Sequence, residues 1–149
     1  MKYWAKIEWE EEAYLAEEVE YISDDEFYAI FSAIVNGADL NDCELLYIGS
    51  AYSQGASTRI KQPHRAYRQI KTYLRANPDR DIFIITGNIV DHSQERMSLQ
   101  FFNDIECCLI FCNKPLFNTL CKESYNGRPV EIINYGGYKP LKKKCLYGD

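Results

Sequence analysis

One acidic residue of the sequence stands in an apolar stretch. Glu106 lies between Ile105 and Cys107, in a run whose apolar residues recur at helical spacing. A carboxylate on the buried side of a helix costs several kcal/mol unless a cation or an ion-pair partner satisfies it. A magnesium-type ion, which prefers oxygen ligands and keeps several waters, would satisfy it as well as a buried salt bridge would. Glu106 is therefore a candidate ligand of a divalent metal ion.

The neighbouring acid does not extend this candidate metal site. Asp104 is two positions from Glu106, which places the two carboxylates about 200° apart around a helix. Side chains so placed cannot share an ion. The pattern therefore predicts one metal ion and not a pair.

Three further residues have side chains suited to phosphate chemistry. The planar guanidinium of Arg59 can hold a phosphate oxygen, and Tyr28 or Tyr47 can polarise a water molecule. A free tyrosine has a pKa near ~10, so it needs a nearby cation to act as a base at neutral pH. Phosphodiester hydrolysis needs such an activated water and stabilisation of the charge on the phosphate. Singly, each residue also has an ordinary explanation, as a strand aromatic or a solvent-facing loop residue.

The sequence pattern places the two tyrosines on neighbouring strands. Phe27 to Val35 is apolar and β-prone, Asn36-Gly37 begins a turn, and Glu44 to Ser50 is a second strand. Strands joined by so short a connection should pair antiparallel. The other expected elements are strands over residues 3–9, 82–86 and 130–133, and helices over residues 10–21, 63–76 and 117–123, together with a helix that Ser93 caps and Lys114-Pro115 ends.

These elements predict a small α+β domain with a short, mainly antiparallel sheet flanked by helices. We expect residues 1–24 to form an acidic N-terminal extension, a strand followed by a helix, packed on a main domain of residues 25–149. The main domain ends in a basic tail that contains residues 142–144.

Charge is distributed unevenly along the chain, whose net charge is −5. Residues 1–46 hold thirteen acidic and two basic residues, whereas residues 47–149 hold nine acidic and fifteen basic residues. A basic body can bind phosphates even when the total charge is negative. The predicted helix over 63–76 carries a basic stripe on one side, which is a candidate nucleic-acid surface with Arg59 but is also typical of a solvated helix face: His64, Arg68, Lys71 and Arg75.

The order of the candidate residues resembles the GIY-YIG nuclease superfamily. Tyr47-Ile48-Gly49 matches the second motif, Arg59 follows it, and Glu106 precedes Asn118 by twelve residues. The resemblance covers roughly residues 25–120. Three residues alone recur by chance, but the ordered set is hard to produce by accident.

Two positions depart from the family pattern. The first motif is Glu26-Phe27-Tyr28, which keeps only the tyrosine, and Tyr21 is an alternative match for that tyrosine. His64 follows Arg59 by five residues, where relatives usually place a tyrosine or histidine four residues on.

The resemblance implies an endonuclease that hydrolyses DNA with one Mg²⁺ or Mn²⁺ ion on Glu106 in each active site. It implies that Tyr28 is the base, that Tyr47 supports it and that Asn118 holds the site together by hydrogen bonds. The implied catalytic set is Tyr28, Tyr47, Arg59, His64, Glu106 and Asn118.

A second function class stays open, namely a catalytically silent nucleic-acid-binding or protein-interaction domain on the same fold. The expected partner is DNA, with a homodimer or a partner protein possible. No apolar run approaches the ~20 residues that span a bilayer, so no membrane association is expected. Cys107, Cys108 and Cys112 lie in the apolar helical run and are expected to be reduced core residues, which favours the cytoplasm.

Overall fold

A computed structural model describes residues 3–16, 25–51, 65–124 and 127–147, with the backbone alone at residues 65–67. Within these ranges the chain forms seven strands and two helices. The strands are β1 (Tyr3–Trp9), β2 (Tyr14–Leu15), β3 (Phe27–Asn36), β4 (Asp39–Ser50), β5 (Asp81–His92), β6 (Val130–Gly136) and β7 (Lys144–Tyr147). The helices are α1 (Arg65–Ala76) and α2 (Leu99–Asn113).

The strands form one curled, mixed sheet in the order β4-β3-β5-β1-β6-β7, with β2 also paired to β5. β1 and β6 are parallel, and every other pair in the described sheet is antiparallel. The prediction of an α+β fold with a mainly antiparallel sheet and flanking helices is thus confirmed. No helix within the described ranges is long and apolar enough to cross a bilayer.

β3 and β4 form the hairpin that the sequence predicts, although β4 begins at Asp39, five residues earlier than expected. Gly37 adopts a positive φ of 64° at the turn, a conformation that favours glycine. β3 is the most buried strand, because it pairs with β4 on one side and with β5 on the other. The hairpin therefore fixes its tyrosines on a rigid part of the sheet.

Helix α2 packs on one face of the curled sheet, against side chains from most of its strands. Phe102 stacks on Phe27 with ring centroids 4.8 Å apart, and Ile105 and Leu109 are fully buried beside it. Helix α1 packs on the opposite face, where a second buried cluster surrounds Ile70. That cluster contains Tyr28, Ile30, Leu46, Ile70, Ile82 and Ile84.

The predicted N-terminal strand is correct, and β1 lies inside the sheet between β5 and β6. The helix predicted over residues 10–21 is wrong in its described part, because Tyr14–Leu15 forms β2 and pairs with Phe83 and Ile84. β5 extends past the end of β1 and offers unpaired backbone groups there, and this pairing outweighs the local helical pattern. Residues 17–21 lie outside the described ranges.

Helix α2 begins later than predicted. Ser98, and not Ser93, is its N-cap, and its side chain accepts a 3.0 Å hydrogen bond from the backbone N–H of Phe101. Ser93 instead continues the pairing of β5 with β1, since its hydroxyl oxygen accepts a bond from the backbone N–H of Trp4. The helix ends as expected at Lys114, which adopts a left-handed conformation before Pro115.

The short helix predicted over residues 117–123 is also wrong, because this segment is made of turns and bends. The backbone N–H groups of Leu116 and Phe117 donate to the carbonyl oxygens of Leu45 and Leu46. The segment thus covers the outer edge of β4, which no other described strand pairs.

A disulfide joins Cys107 of α2 to Cys121, so the expectation that Cys107 is a reduced core residue is wrong. Cys108 and Cys112 are free, as expected, and so are Cys43 and Cys145. The bend after α2 returns the chain to the helix, and the two α-carbons lie 5.3 Å apart. A spacing of fourteen residues gave no signal for this pairing.

Replacing Cys107 and Cys121 together by serine should lower the free energy of unfolding by about 3 kcal/mol, because the disulfide closes a loop of about 15 residues in the unfolded chain. Urea unfolding with and without a reductant measures the effect. Wild type should shift toward the double variant when reduced, and Cys43→Ser, which alters an exposed thiol, should not change the midpoint. An unchanged wild-type midpoint under reductant would contradict a stabilising disulfide.

Candidate functional site

The two motif tyrosines lie side by side on the face of the sheet that α1 covers. Tyr28 of β3 is paired with Gly49, and Tyr47 of β4 is paired with Ile30, so the side chains of Tyr28, Ile30 and Tyr47 point to one face, where Gly49 has none. The ring centroids of Tyr28 and Tyr47 are 6.2 Å apart. Tyr28 is fully buried, whereas Tyr47 is half-buried and reaches solvent.

Gly49 makes room for this arrangement. The ring of Tyr28 lies across the position that a side chain at Gly49 would take, and an added Cβ would overlap the ring. The glycine of the second motif is therefore required by the tyrosine of the first. The assignment of Tyr28, and not Tyr21, to the first motif stays a prediction. Tyr21 itself lies outside the described residues.

Asn118 is bound directly to the second motif. Its side-chain amide accepts a hydrogen bond from the backbone N–H of Ile48 and donates one to the Ile48 carbonyl oxygen, both at 2.9 Å. The amide is buried and completes the outer edge of β4 between Tyr47 and Gly49. Asn118 thus fixes the strand on which one of the motif tyrosines stands.

Glu106 lies at the flank of the buried side of α2 and is only half-buried. It follows Phe102 by one helical turn, and Phe102 stacks on Phe27, the residue before Tyr28. Because successive strand residues point to opposite faces, Phe27 lies on the α2 side and Tyr28 on the α1 side. Glu106 and the tyrosines therefore lie on opposite faces of the sheet.

The carboxylate that is buried in α2 belongs to Asp104. It accepts a 2.7 Å hydrogen bond from the guanidinium of Arg128, which also lies 4.4 Å from the ring centre of Tyr3. The ion pair with Arg128 thus satisfies the buried carboxylate of Asp104. The expectation that Asp104 and Glu106 do not share a metal ion stays a prediction.

Three basic residues of α1 face solvent. Arg68, Lys71 and Arg75 are all exposed. The opposite side of the helix is anchored to the hairpin by Tyr73, whose hydroxyl hydrogen-bonds Glu44 and, at 2.8 Å, Ser32. The stripe is therefore held in a fixed orientation on the α1 side of the sheet. Arg59 and His64 lie outside the described residues, so their placement stays a prediction.

The described residues include no group of three or more His, Cys, Asp and Glu side chains that could hold a metal ion. A metal ion at Glu106 would therefore take fewer than three such side chains from the described residues and would keep several waters. Mg²⁺ fits such a donor set, since it dehydrates reluctantly and commonly binds one or two carboxylates together with substrate phosphates.

Sequence reasoning missed three features near the site: the space that Gly49 leaves for Tyr28, the disulfide and the Asp104–Arg128 pair. The only sequence signal for the space at Gly49 was the position of this glycine, two residues after Tyr47. The Arg128 partner, twenty-four residues from Asp104, left no signal in the sequence.

Comparison with models of protein families, with curated proteins and with solved structures finds no match for this chain.

Proposed function

We propose that the chain is a metal-dependent endonuclease that hydrolyses phosphodiester bonds of DNA. The proposal starts from the ordered residues that resemble the GIY-YIG superfamily. The observation that carries it is the contact of both motifs at one end of the β3–β4 hairpin. There the Tyr28 ring lies over Gly49, and Asn118 holds Ile48 between Tyr47 and Gly49.

The reacting phosphate would lie beyond the end of β4. Tyr47, which reaches solvent, would hold and polarise the attacking water, and the buried Tyr28 ring beside it would position Tyr47. Arg59, in the segment that follows β4, would neutralise charge on the phosphate. Asn118 would keep the strand in register.

Glu106 would hold the divalent ion, together with waters and the substrate phosphate. The bound ion would supply charge stabilisation to the leaving oxygen. The half-exposed position of Glu106 fits this role, because waters and a phosphate need access to the ion. Cleavage should accordingly depend on Mg²⁺ or Mn²⁺.

The direct test is incubation of the pure full chain with supercoiled plasmid in the presence of Mg²⁺, of Mn²⁺ or of a chelator. Nicked and linear products that form only with metal support the proposal. Binding of the plasmid without any cleavage would overturn it.

A catalytically silent nucleic-acid-binding domain is the second candidate function. The burial of Tyr28 favours it, because a tyrosine whose ring is enclosed by core residues also serves packing alone. Under this alternative, the protein binds DNA through α1 with the same affinity in metal and in chelator and leaves the plasmid intact.

The basic stripe of α1 is expected to contribute to DNA binding through phosphate contacts. Changing Arg68 and Lys71 together to glutamate should weaken binding and reduce the slope of log K against log salt by about 2, since each lost contact removes about 0.9. Fluorescence anisotropy of a labelled duplex across a salt series measures this slope.

The matched control is the change of Lys139 and Lys143 to glutamate, which alters the net charge equally at exposed positions. This control should keep the slope of the wild type. Equal loss of slope in both variants would mean that general electrostatics, and not the α1 surface, governs binding.

A further inference from the structure

Three free thiols meet between α2 and β7, away from the motif tyrosines. Cys108 and Cys112 are four residues apart and share one side of the helix. Cys145 is the second residue of β7, which packs against that side. Cys108 and Cys145 are buried, whereas Cys112 is half-buried and reaches solvent.

Cys112 and Cys145 are direct neighbours. The Cys112 thiol donates to the carbonyl oxygen of Lys144 at 3.9 Å, and the Asn113 side chain donates to the Cys145 sulfur at 3.6 Å. The thiols of Cys112 and Cys145 are also close enough to shift each other's pKa. Cys108 is turned elsewhere, toward the carbonyl oxygen of Val130 at 3.7 Å. The geometry therefore singles out one pair among the three thiols.

The surroundings of Cys112 favour its thiolate. The hydrogen-bond interaction with the Cys145 thiol and the charges of Lys142 and Lys114 together lower the pKa of Cys112 to about 7, against the opposing effect of burial. The same hydrogen bond and burial raise the pKa of Cys145. Burial raises the pKa of Cys108 to about 12. At neutral pH only Cys112 of the three is both reactive and accessible.

The cluster does not form a metal site, because no group of three metal-ligating side chains with suitable geometry occurs in the described part of the chain. A nucleophilic thiolate beside a second thiol is instead typical of a redox-sensitive pair, in which one sulfur is oxidised and the other resolves it.

We propose that Cys112 and Cys145 form a peroxide-oxidisable pair, in which Cys112 is attacked first and a disulfide then links α2 to β7. The Cys112 thiolate attacks a hydroperoxide, an S–O bond forms as the O–O bond breaks, and hydroxide or an alkoxide leaves. The Cys145 thiol then attacks the sulfenic acid sulfur, the S–S bond forms, and water leaves with the thiol proton. Two thiols lose two electrons in total, and the peroxide gains them.

Cys43 provides an internal standard for this reaction. It is an exposed free thiol, and burial of its sulfur raises its pKa above the ordinary value. At neutral pH, the fraction present as thiolate is about 50 times larger for a thiol of pKa about 7 than for a thiol of pKa about 9. The thiolate of lower pKa is the weaker nucleophile, so its net advantage in reaction rate falls to about sixfold. Cys112 should therefore react at least about six times faster than Cys43, although Cys43 is the more exposed of the two.

The test treats the full chain at pH 7 with limiting hydrogen peroxide and maps the cysteines by mass spectrometry without reduction. Wild type should lose two hydrogens and yield a Cys112–Cys145 cross-linked peptide, while Cys43 remains a thiol. In Cys145→Ser, the sulfenic acid should persist at Cys112 and be trapped by dimedone. In Cys112→Ser, Cys145 should stay reduced.

Faster oxidation of Cys43, or a cross-link that involves Cys108 instead of Cys112, would overturn the proposal. The wild-type peptide map decides this even if a serine variant fails to fold. Because the readout is chemical, the result does not depend on whether the chain cleaves DNA.

Discussion

Glu106→Gln should reduce metal-dependent plasmid cleavage by at least about a hundredfold while the fold and DNA binding stay intact. Glutamine keeps the size and the hydrogen-bonding capacity of the side chain but removes the charge that would hold a divalent ion. Glu106 is only half-buried, so this change should cost little stability. Nicking rates with saturating Mg²⁺, together with the thermal unfolding midpoint, measure the two effects separately.

The matched control for this prediction is Glu95→Gln, which removes the same charge at an exposed position just before α2. It should cleave as wild type does. Wild-type rates in Glu106→Gln itself would remove Glu106 as the metal ligand. Loss of activity accompanied by unfolding would instead assign Glu106 a structural role on α2.

Asn118→Ala should both destabilise the protein and suppress cleavage. The change leaves the buried backbone N–H and carbonyl of Ile48 without the amide that now binds both. Each of the two unsatisfied groups costs roughly 1–3 kcal/mol, so the free energy of unfolding should fall by about 2–6 kcal/mol. The edge of β4 that positions Tyr47 and Gly49 is then released, and cleavage should fall even at temperatures where the variant remains folded.

Asn134→Ala is the matched control, because it also removes a buried asparagine amide. Asn134 is a fully buried amide that accepts a 2.9 Å hydrogen bond from the Trp9 indole and donates one to the Lys142 carbonyl oxygen. It lies on β6, four strands away from β4 in the sheet. Its loss should destabilise the fold to a similar extent but spare cleavage below the unfolding midpoint. Equal loss of activity in the two variants would show that Asn118 acts through stability alone.

The hairpin and its tyrosines could be predicted because their signals are local. Apolar runs over residues 27–35 and 44–50, separated by Asn36-Gly37, specify two antiparallel strands, and the two-residue period places Tyr28 and Tyr47 on one face. The signal that ends helix α2 at Lys114-Pro115 was equally local. Each of these patterns involves residues near one another in the sequence, so no knowledge of packing is required.

The sequence by itself thus determined the α+β class, the central hairpin and the order of the candidate catalytic residues. Only the tertiary structure decided that Tyr14–Leu15 pairs with β5 as a strand, because β5 extends past the end of β1 and leaves its backbone groups unpaired there. It likewise decided that the buried Asp104 pairs with Arg128, and that Cys107 pairs with Cys121. These outcomes depend on contacts between side chains and unpaired backbone groups that are far apart in the sequence and come together when the sheet curls around α2. Short-range sequence patterns contain no information about such contacts.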